Sequence, residues 1–251
     1  MPWRPWEDVL ALVELAAPTA CAGCGAAGVR WCVGCDVLLA VAASRAGPWS
    51  PTPRPPGMPP TWSAAAYADE VRAAVVAWKD GGRADLTPVL APVLRAVLAA
   101  ALDGSPAHRD ALRTGGRVLL LPAPSARAST RARGEHRVLT LTGAALRGLP
   151  RSGLVRVDGL RLVRRVADQA GLGSRARSAN LAGAVRARPA LVRVLEGTPC
   201  VVVDDVVTTG ATLVECARAL REAGAGPVVA ATVAATRRRG RGDLPRPGGA
   251  D

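Results

Sequence analysis

Apolar residues along this chain fall into two kinds of run. Short unbroken runs that end in loop residues occur at Arg117 to Pro122 (RVLLLP), Cys200 to Asp205 (CVVVDD) and Pro227 to Thr236 (PVVAATVAAT). Runs of this length read as strands buried on both faces. Between and before them lie stretches with helical spacing. Val71, Ala74, Val75 and Trp78 form an i, i+3, i+4, i+7 stripe inside a longer stretch, Trp62 to Leu102, that reads as helical with a break at Gly81-Gly82. Glu135 to Leu146, Ser174 to Val185 and Ala211 to Ala225 also read as helices, the last stopping near Gly224. Leu154 to Val166 alternates, and reads as a two-stranded ribbon turning at Asp158-Gly159. Apolar strands alternating with helices predict an α/β fold of parallel βαβ units, with both faces of the sheet covered.

Four segments follow from this pattern. Residues 1–46 hold an amphipathic helix, Glu7 to Ala17, and four of the six cysteines. Residues 47–60 (GPWSPTPRPPGMPP) are too rich in proline for a helix or a central strand, and read as a linker. Residues 61–236 carry the α/β pattern, and residues 237–251 form a basic tail expected to be disordered.

Composition sharpens the picture. The chain is 49% hydrophobic but only 3% aromatic, with no Phe, so its core is built from Ala, Val and Leu. No run of 18 apolar residues lacks a charge, which predicts no membrane insertion. The first 21 residues look superficially like a signal peptide ending at a cysteine. Glu7, Asp8 and Glu14 interrupt the apolar stretch, and Pro18 stands where an aliphatic residue is wanted, so the expected location is cytoplasmic. The formal net charge is +13, and Lys79 is the single lysine among 33 basic residues. From Arg127 to Arg193 there are 15 Arg against Glu135, Asp158 and Asp168, a net of +12. Such a stretch is either solvated arginine on helix faces or a basic surface facing polyphosphate or nucleic acid.

Cys21-x-x-Cys24 and Cys32-x-x-Cys35 are two knuckles separated by seven residues. Tetrahedral Zn2+ takes four thiolates, and a CxxC turn lets two sulfurs converge on one ion. The alternatives are two disulfides or unrelated thiols; disulfides fit poorly without a secretory signal. A closed four-thiolate site has no open position, so it is read as structural. Cys200 and Cys216 are read as buried inert thiols.

The stretch VVVDDVVTTGATL, Val201 to Leu213, carries the most specific chemistry. A buried strand ends in Asp204 and Asp205, and a hydroxyl-glycine loop then leads into a helix. That helix start offers unpaired N–H groups and a positive dipole end to an anion. Thr208, Thr209 and Thr212 add hydroxyls, and Gly210 lets the backbone approach a phosphate closely. The carboxylates suit the vicinal hydroxyls of a ribose or a divalent ion bound to it. An ordinary capped turn would not place two adjacent acids at the end of a buried strand, where repulsion and desolvation both cost energy.

This segment resembles the 5-phosphoribosyl-1-pyrophosphate (PRPP) motif of type I phosphoribosyltransferases. From Cys21 to about Thr236 the chain resembles the ComF family, competence-associated proteins with a four-cysteine zinc module and a phosphoribosyltransferase domain. The resemblance rests on the paired knuckles, AWKDGG, LPAPSARASTRARG, DQAGLGSRARSANLAGAV and VVVDDVVTTGATL, in that order. It implies a type I phosphoribosyltransferase-like parallel sheet, flanked by helices, that binds PRPP with Mg2+. It further implies that Asp204 and Asp205 hold the ribose hydroxyls, and that Thr208, Thr209, Gly210, Ala211 and Thr212 bind the 5-phosphate. The loop Pro122 to Arg127, with Pro124 and Ser125, would receive pyrophosphate, flanked by Arg127, Arg131, Arg133 and Arg137. Arg161, Arg164 and Arg165 are expected on a mobile hood, with Asp168, Gln169, Arg177 and Asn180 as further polar positions. Lys79 matches a lysine of the family and is assigned a catalytic role beside Asp204 and Asp205. His136, at a helix start, reads as a surface residue rather than a proton shuttle.

Two departures from the pattern bear on the acceptor. Purine-salvage relatives carry an acid where this chain has Thr208, which argues against a hypoxanthine- or guanine-type acceptor. Glu135-His136-Arg137 also replaces the family's usual continuation with Asn-Gln. Two functions compete: a transferase moving the 5-phosphoribosyl group to an unidentified acceptor, and a non-catalytic PRPP-binding protein that engages single-stranded DNA or a DNA-uptake helicase. No Trp, Tyr or Phe lies between Arg127 and Arg193, which disfavours recognition by base stacking.

Overall fold

The computed structural model describes residues 19–124, 136–149, 152–164 and 180–236. The expected helix at Glu7 to Ala17 and the basic tail lie outside the described residues, as do Ser125, Arg127, Arg131, Arg133, Arg165, Asp168, Gln169 and Arg177.

Six strands form the main sheet: β1 (Gly47–Trp49), β2 (Thr61–Ala66), β3 (Val118–Pro122), β4 (Leu154–Arg156), β7 (Cys200–Val207) and β8 (Val228–Ala235). Their spatial order is β1-β2-β8-β7-β3-β4. Only the β1–β2 pairing is antiparallel; the rest are parallel. The remaining strands, β5 (Leu160–Leu162) and β6 (Val185–Ala187), make a separate antiparallel ribbon. The helices are α1 (Val33–Ser44), α2 (Asp69–Lys79), α3 (Thr87–Gly104), α4 (Pro106–Arg113), α5 (Arg137–Leu146), the single turn α6 (Val192–Leu195) and α7 (Ala211–Glu222).

Each face of the sheet has its own core. One gathers Leu39 of α1, Val71, Val75 and Trp78 of α2, Leu94 and Leu98 of α3 and Leu141 of α5 against Val201 and Val203 of β7. The other packs Leu213, Cys216 and Leu220 of α7 against Cys200 and Val202. Burial on both faces is why β3, β7 and β8 read as unbroken apolar runs. By length and composition the stretch Ala84–Gly104 could cross a membrane. In this fold it is a core helix, with Leu90, Leu94, Val97, Leu98, Ala101 and Leu102 fully buried.

Four elements differ from the pattern read in the sequence. Thr61–Ala66 is a strand, not the start of a helix: Ala favours helices, but parallel pairing with β8 wins here. Leu154–Arg156 does not pair with Leu160–Leu162 across Asp158-Gly159. β4 joins the sheet edge beside β3 instead, and β5 pairs with β6. Gly159 makes that redirection sterically feasible, since a Cβ there would lie 2.5 Å from a Leu121 methyl. β7 continues two residues past the acidic pair, with Val206 and Val207 in register with Ala234 and Ala235. Of the helix expected over Ser174 to Val185, only Asn180 and Leu181 are described as helical, and Val185 already belongs to β6.

The proline-rich segment is woven into the fold. Gly47–Trp49 is the edge strand, where proline is tolerated, and residues 54–58 lie along α7. Arg221 of α7 donates to Gly57 O at 3.0 Å, and Arg54 donates to Met58 O at 2.8 Å.

Candidate functional site

The connection leaving β3 runs through α5 to β4, on one side of the sheet centre. The connection leaving β7 runs through α7 to β8, on the other. The chain therefore parts between β3 and β7, and the space beyond their carboxyl ends is the usual ligand position in an open parallel sheet. Three groups converge there: the acidic pair of β7, the turn from Thr208 to Gly210, and Pro122 to Pro124 after β3.

Asp204 and Asp205 are 9% and 2% exposed. The Asp205 N–H donates to Asp204 Oδ1 at 2.9 Å. Lys79 arrives from far away in sequence. Helix α2 begins at the end of β2 and crosses the carboxyl edge of the sheet, burying Val71, Ala74, Val75 and Trp78 beneath it. Ten residues of helix cover about 15 Å, enough to pass β8 and deliver its last residue to β7. Lys79 Nζ lies 2.9 Å from Asp205 Oδ1 and 2.7 Å from Oδ2. Trp78 anchors the helix end, its indole N–H donating to Thr87 Oγ1 at 2.9 Å.

The two carboxyls are driven apart electrostatically. Burial, and then the charge of Asp205, push Asp204 well above the usual carboxylate range. Burial would also raise Asp205, but the Lys79 ammonium and hydrogen bonds from Asp204 and Lys79 outweigh it and hold Asp205 low. Lys79 is raised in turn: burial opposes its charge, and Asp205 and Asp204 overcome that. The two carboxyls therefore differ in proton affinity, Asp204 being the higher and Asp205 the lower.

The threonine turn follows directly. Gly210 is the N-cap of α7 with φ +81, a left-handed conformation suited to glycine. Ala211 N–H lies 3.4 Å from Thr209 Oγ1. The first-turn N–H groups of Ala211, Thr212 and Leu213 have no intrahelical acceptor. Thr208 is exposed and Thr209 and Thr212 are half-buried, so the hydroxyls border solvent. Residues 136–245 match the phosphoribosyl transferase domain family. The matched span contains α5, β4 to β8, α7 and the whole acidic-pair-and-threonine segment; Lys79, Pro124 and the four N-terminal cysteines precede it. No curated protein matches the chain.

Several residues around this site carried no sequence signal. A Cβ on Gly210 would fall 2.4 Å from Met58 Sδ, so the proline-rich strap backs the threonine turn. Glu215 of α7 is buried, accepts from the Val185 N–H at 3.0 Å and pairs with Arg218 at 2.7 Å. Arg218 also donates to Val185 O at 2.8 Å, so the pair fastens the β5–β6 ribbon to the helix that bears the turn. Burial would raise Glu215, but Arg218 and the Val185 N–H hold it below the usual range. Across the sheet, Asp204 is in register with Thr232, and Thr232 with Ser63. Both hydroxyls are buried without a hydrogen-bond partner among the described residues. Spacing along the chain cannot reveal such a row, because strand register creates it.

Other expected positions fall as follows. Pro124 is half-buried just after β3, where Ala123 N–H donates to Val203 O at 2.8 Å. Arg137 is buried at the start of α5. Arg161 lies on β5, and Arg164 donates to Asn180 O and Ala182 O at 2.8 and 2.9 Å, closing the base of the ribbon. His136 caps α5, its Nδ1 accepting from the Leu139 N–H at 3.2 Å. Cys200 and Cys216 are fully buried, and burial pushes Cys200 up to about 12.

The four N-terminal cysteines converge: all Sγ atoms lie within 4.8 Å of one another. Cys21 and Cys35 sulfurs are 3.7 Å apart, and those of Cys24 and Cys32 are 3.5 Å apart. Zinc–sulfur bonds of about 2.3 Å in a tetrahedron put sulfurs about 3.8 Å apart, so the cluster fits a Zn2+ ion. Backbone donors support anionic sulfur, with Cys32 N–H 3.4 Å from Cys21 Sγ and Cys35 N–H 3.5 Å from Cys32 Sγ. Burial works against the Cys21 thiolate, but backbone N–H groups of Cys24, Cys32 and Gly23 bring it down to about 6. Burial and the neighbouring thiols push Cys35 up. A bound cation would hold all four as thiolates.

Proposed function

We propose that this chain is a ComF-type phosphoribosyltransferase that binds PRPP and transfers its 5-phosphoribosyl group to an acceptor with release of pyrophosphate. One observation carries the reading: the glycine-capped threonine turn of α7 stands beside Asp204 and Asp205, at the switch point between β3 and β7. The turn supplies N–H and hydroxyl donors to the 5-phosphate. The acidic pair takes the ribose hydroxyls, with Lys79 fixing the charge and orientation of Asp205. Pyrophosphate, carrying Mg2+, would leave toward the loop after β3, where Pro124, Ser125, Arg127 and Arg133 lie in sequence. Positive charge there favours departure of the anion as positive character develops at the anomeric carbon. The four cysteines would hold a structural Zn2+ that takes no part in the transfer.

The test is thermal stabilisation by PRPP with Mg2+, followed by pyrophosphate release over a panel of nucleobases and metabolites. PRPP should raise the melting temperature of the wild-type protein, and Asp204→Asn with Asp205→Asn should abolish the rise. A full response in that double variant would mean the site is misassigned. Acceptor-dependent pyrophosphate release identifies the transferase. PRPP binding without release under any acceptor supports the competing reading, a PRPP-binding partner of single-stranded DNA or a helicase in DNA uptake. The net +12 between Arg127 and Arg193 is the feature that favours that reading.

A further inference from the structure

The turn after Lys79 is clasped from two sides. On one side it folds back onto α2. Asp80 and Gly81 N–H groups both donate to Val76 O, at 2.8 and 3.1 Å, and Arg83 N–H donates to Ala77 O at 3.1 Å. Gly81 lies so close to that helix that a Cβ would be 2.9 Å from Ala77 O, and Gly82 has φ +74. The two glycines thus make a tight reversal.

On the other side, Arg83 reaches into the four-cysteine module. Its Nη2 donates to Arg30 O at 3.0 Å, and Nη1 lies 3.5 Å from Ala20 O. Asp85 orients the guanidinium, accepting from Nε and Nη2 at 2.8 Å each. The two target carbonyls are set by the knuckles themselves. Ala20 immediately precedes Cys21, and Arg30 O also accepts from the Ala22 N–H at 3.2 Å, between Cys21 and Cys24. Hydrogen bonds therefore run from the cysteine knuckles through Arg83 into the turn, and the ion pair of Lys79 with Asp205 completes the path.

We propose that Arg83 is a positioning residue that couples the four-thiolate metal site to the phosphoribosyl site. With metal bound, the carbonyls of Ala20 and Arg30 are fixed. Arg83 then holds the glycine turn, and the turn holds Lys79 against Asp205. Loss of the metal frees the knuckles, slackens the turn and leaves Asp205 without a placed counter-charge. Thermodynamic linkage makes the effect reciprocal: a ligand that needs the Lys79–Asp205 geometry must also tighten metal binding. The inference rests on the PRPP reading of Asp204 to Thr212.

The experiment uses the full-length, zinc-loaded protein. PRPP affinity is measured by calorimetry in excess Mg2+, and zinc loss to a chromogenic chelator is timed with and without Mg-PRPP. Wild-type protein should lose zinc at least about threefold more slowly with PRPP bound. Arg83→Ala should retain one zinc, bind PRPP about five- to twentyfold more weakly and show no protection of zinc by PRPP. Arg186→Ala, an exposed partner of Glu222, should change neither measurement. Arg83→Ala with zinc bound and wild-type PRPP affinity overturns the coupling. If that variant does not fold, Asp85→Asn carries the same test, because it leaves Arg83 in place without its orienting carboxylate. Unchanged affinity and unchanged zinc protection in Asp85→Asn also overturn it. Failure of the wild-type protein to bind PRPP would instead refute the site reading, and the coupling with it.

Discussion

Replacing Lys79 by methionine keeps the apolar stem that follows Trp78 but removes the charge facing Asp205. Two unit charges about 4 Å apart interact by about 4 kcal/mol at an effective dielectric of about 20. The Lys79 side chain is 42% exposed while Asp205 is 3% exposed, so solvent screens one partner and not the other. Discounting by about half leaves about 2 kcal/mol, below the 3–5 kcal/mol typical of breaking a fully buried pair. The pH dependence should change in sign as well as size. In the wild-type protein Asp205 is held low, so its contribution is present above the unfolded carboxylate pKa of about 4 and is lost as pH falls through the folded value. Without Lys79, burial outweighs the remaining hydrogen bonds and raises Asp205. The folded state then binds more protons than the unfolded state, and stability rises as pH falls toward about 4. Urea unfolding of both proteins from pH 4 to pH 8 measures this directly. The Lys79→Met deficit should be largest at pH 8 and shrink with acidification, and Asp205→Asn in the same chain should recover part of it. A deficit below about 0.5 kcal/mol, or one independent of pH, would refute the pairing as the organiser of the acidic site.

Gly210→Ala should cost about 1–2 kcal/mol for the left-handed backbone alone. It should also weaken the PRPP thermal shift, because the new Cβ meets Met58 beneath the turn; an unchanged melting temperature and shift would contradict both points. Zinc should be found at one ion per chain by elemental analysis, and a folded, zinc-free preparation with all four cysteines intact would remove the structural-metal assignment. Chelation should lower the melting temperature, since Leu39 of α1 sits in the main core just after the second knuckle. Glu215→Gln should cost about 1–3 kcal/mol at pH 7, because the charged hydrogen bonds to Arg218 and Val185 lose strength. Glu215 is held low, so its contribution is lost as pH falls through the folded value, and chemical unfolding should show the deficit shrinking toward pH 3.

The site was legible wherever its chemistry is written in consecutive residues. A helix N-terminus, its glycine cap and its threonines sit within five positions, so the glycine-capped turn could be read without knowing the fold. The knuckles are legible for the same reason: each CxxC is a local turn, and four sulfurs at that spacing can meet only in a few ways. Asp204 and Asp205 were visible as an anomaly in an apolar run. Their difference was not, because it depends on Lys79, which is 126 residues away. Glu215 looks in sequence like one more acid on an amphipathic helix, and only the return of β6 beside α7 reveals its role.

The sequence by itself determined the identity of β3, β7 and β8, because a strand buried on both faces must be apolar at every position. It also determined the parallel alternation with helices, and the four cysteines that could hold a zinc ion. Tertiary structure alone decided which strands became neighbours. Alanine-rich Thr61–Ala66 takes strand geometry because β8 offers it an edge, and Leu154–Arg156 leaves its neighbour in sequence for β3. It also set the two acids apart in proton affinity. Local propensities differ by about 1 kcal/mol or less per residue, whereas pairing, burial and a single counter-charge beside a buried carboxyl each act on a larger scale and across long separations in the chain.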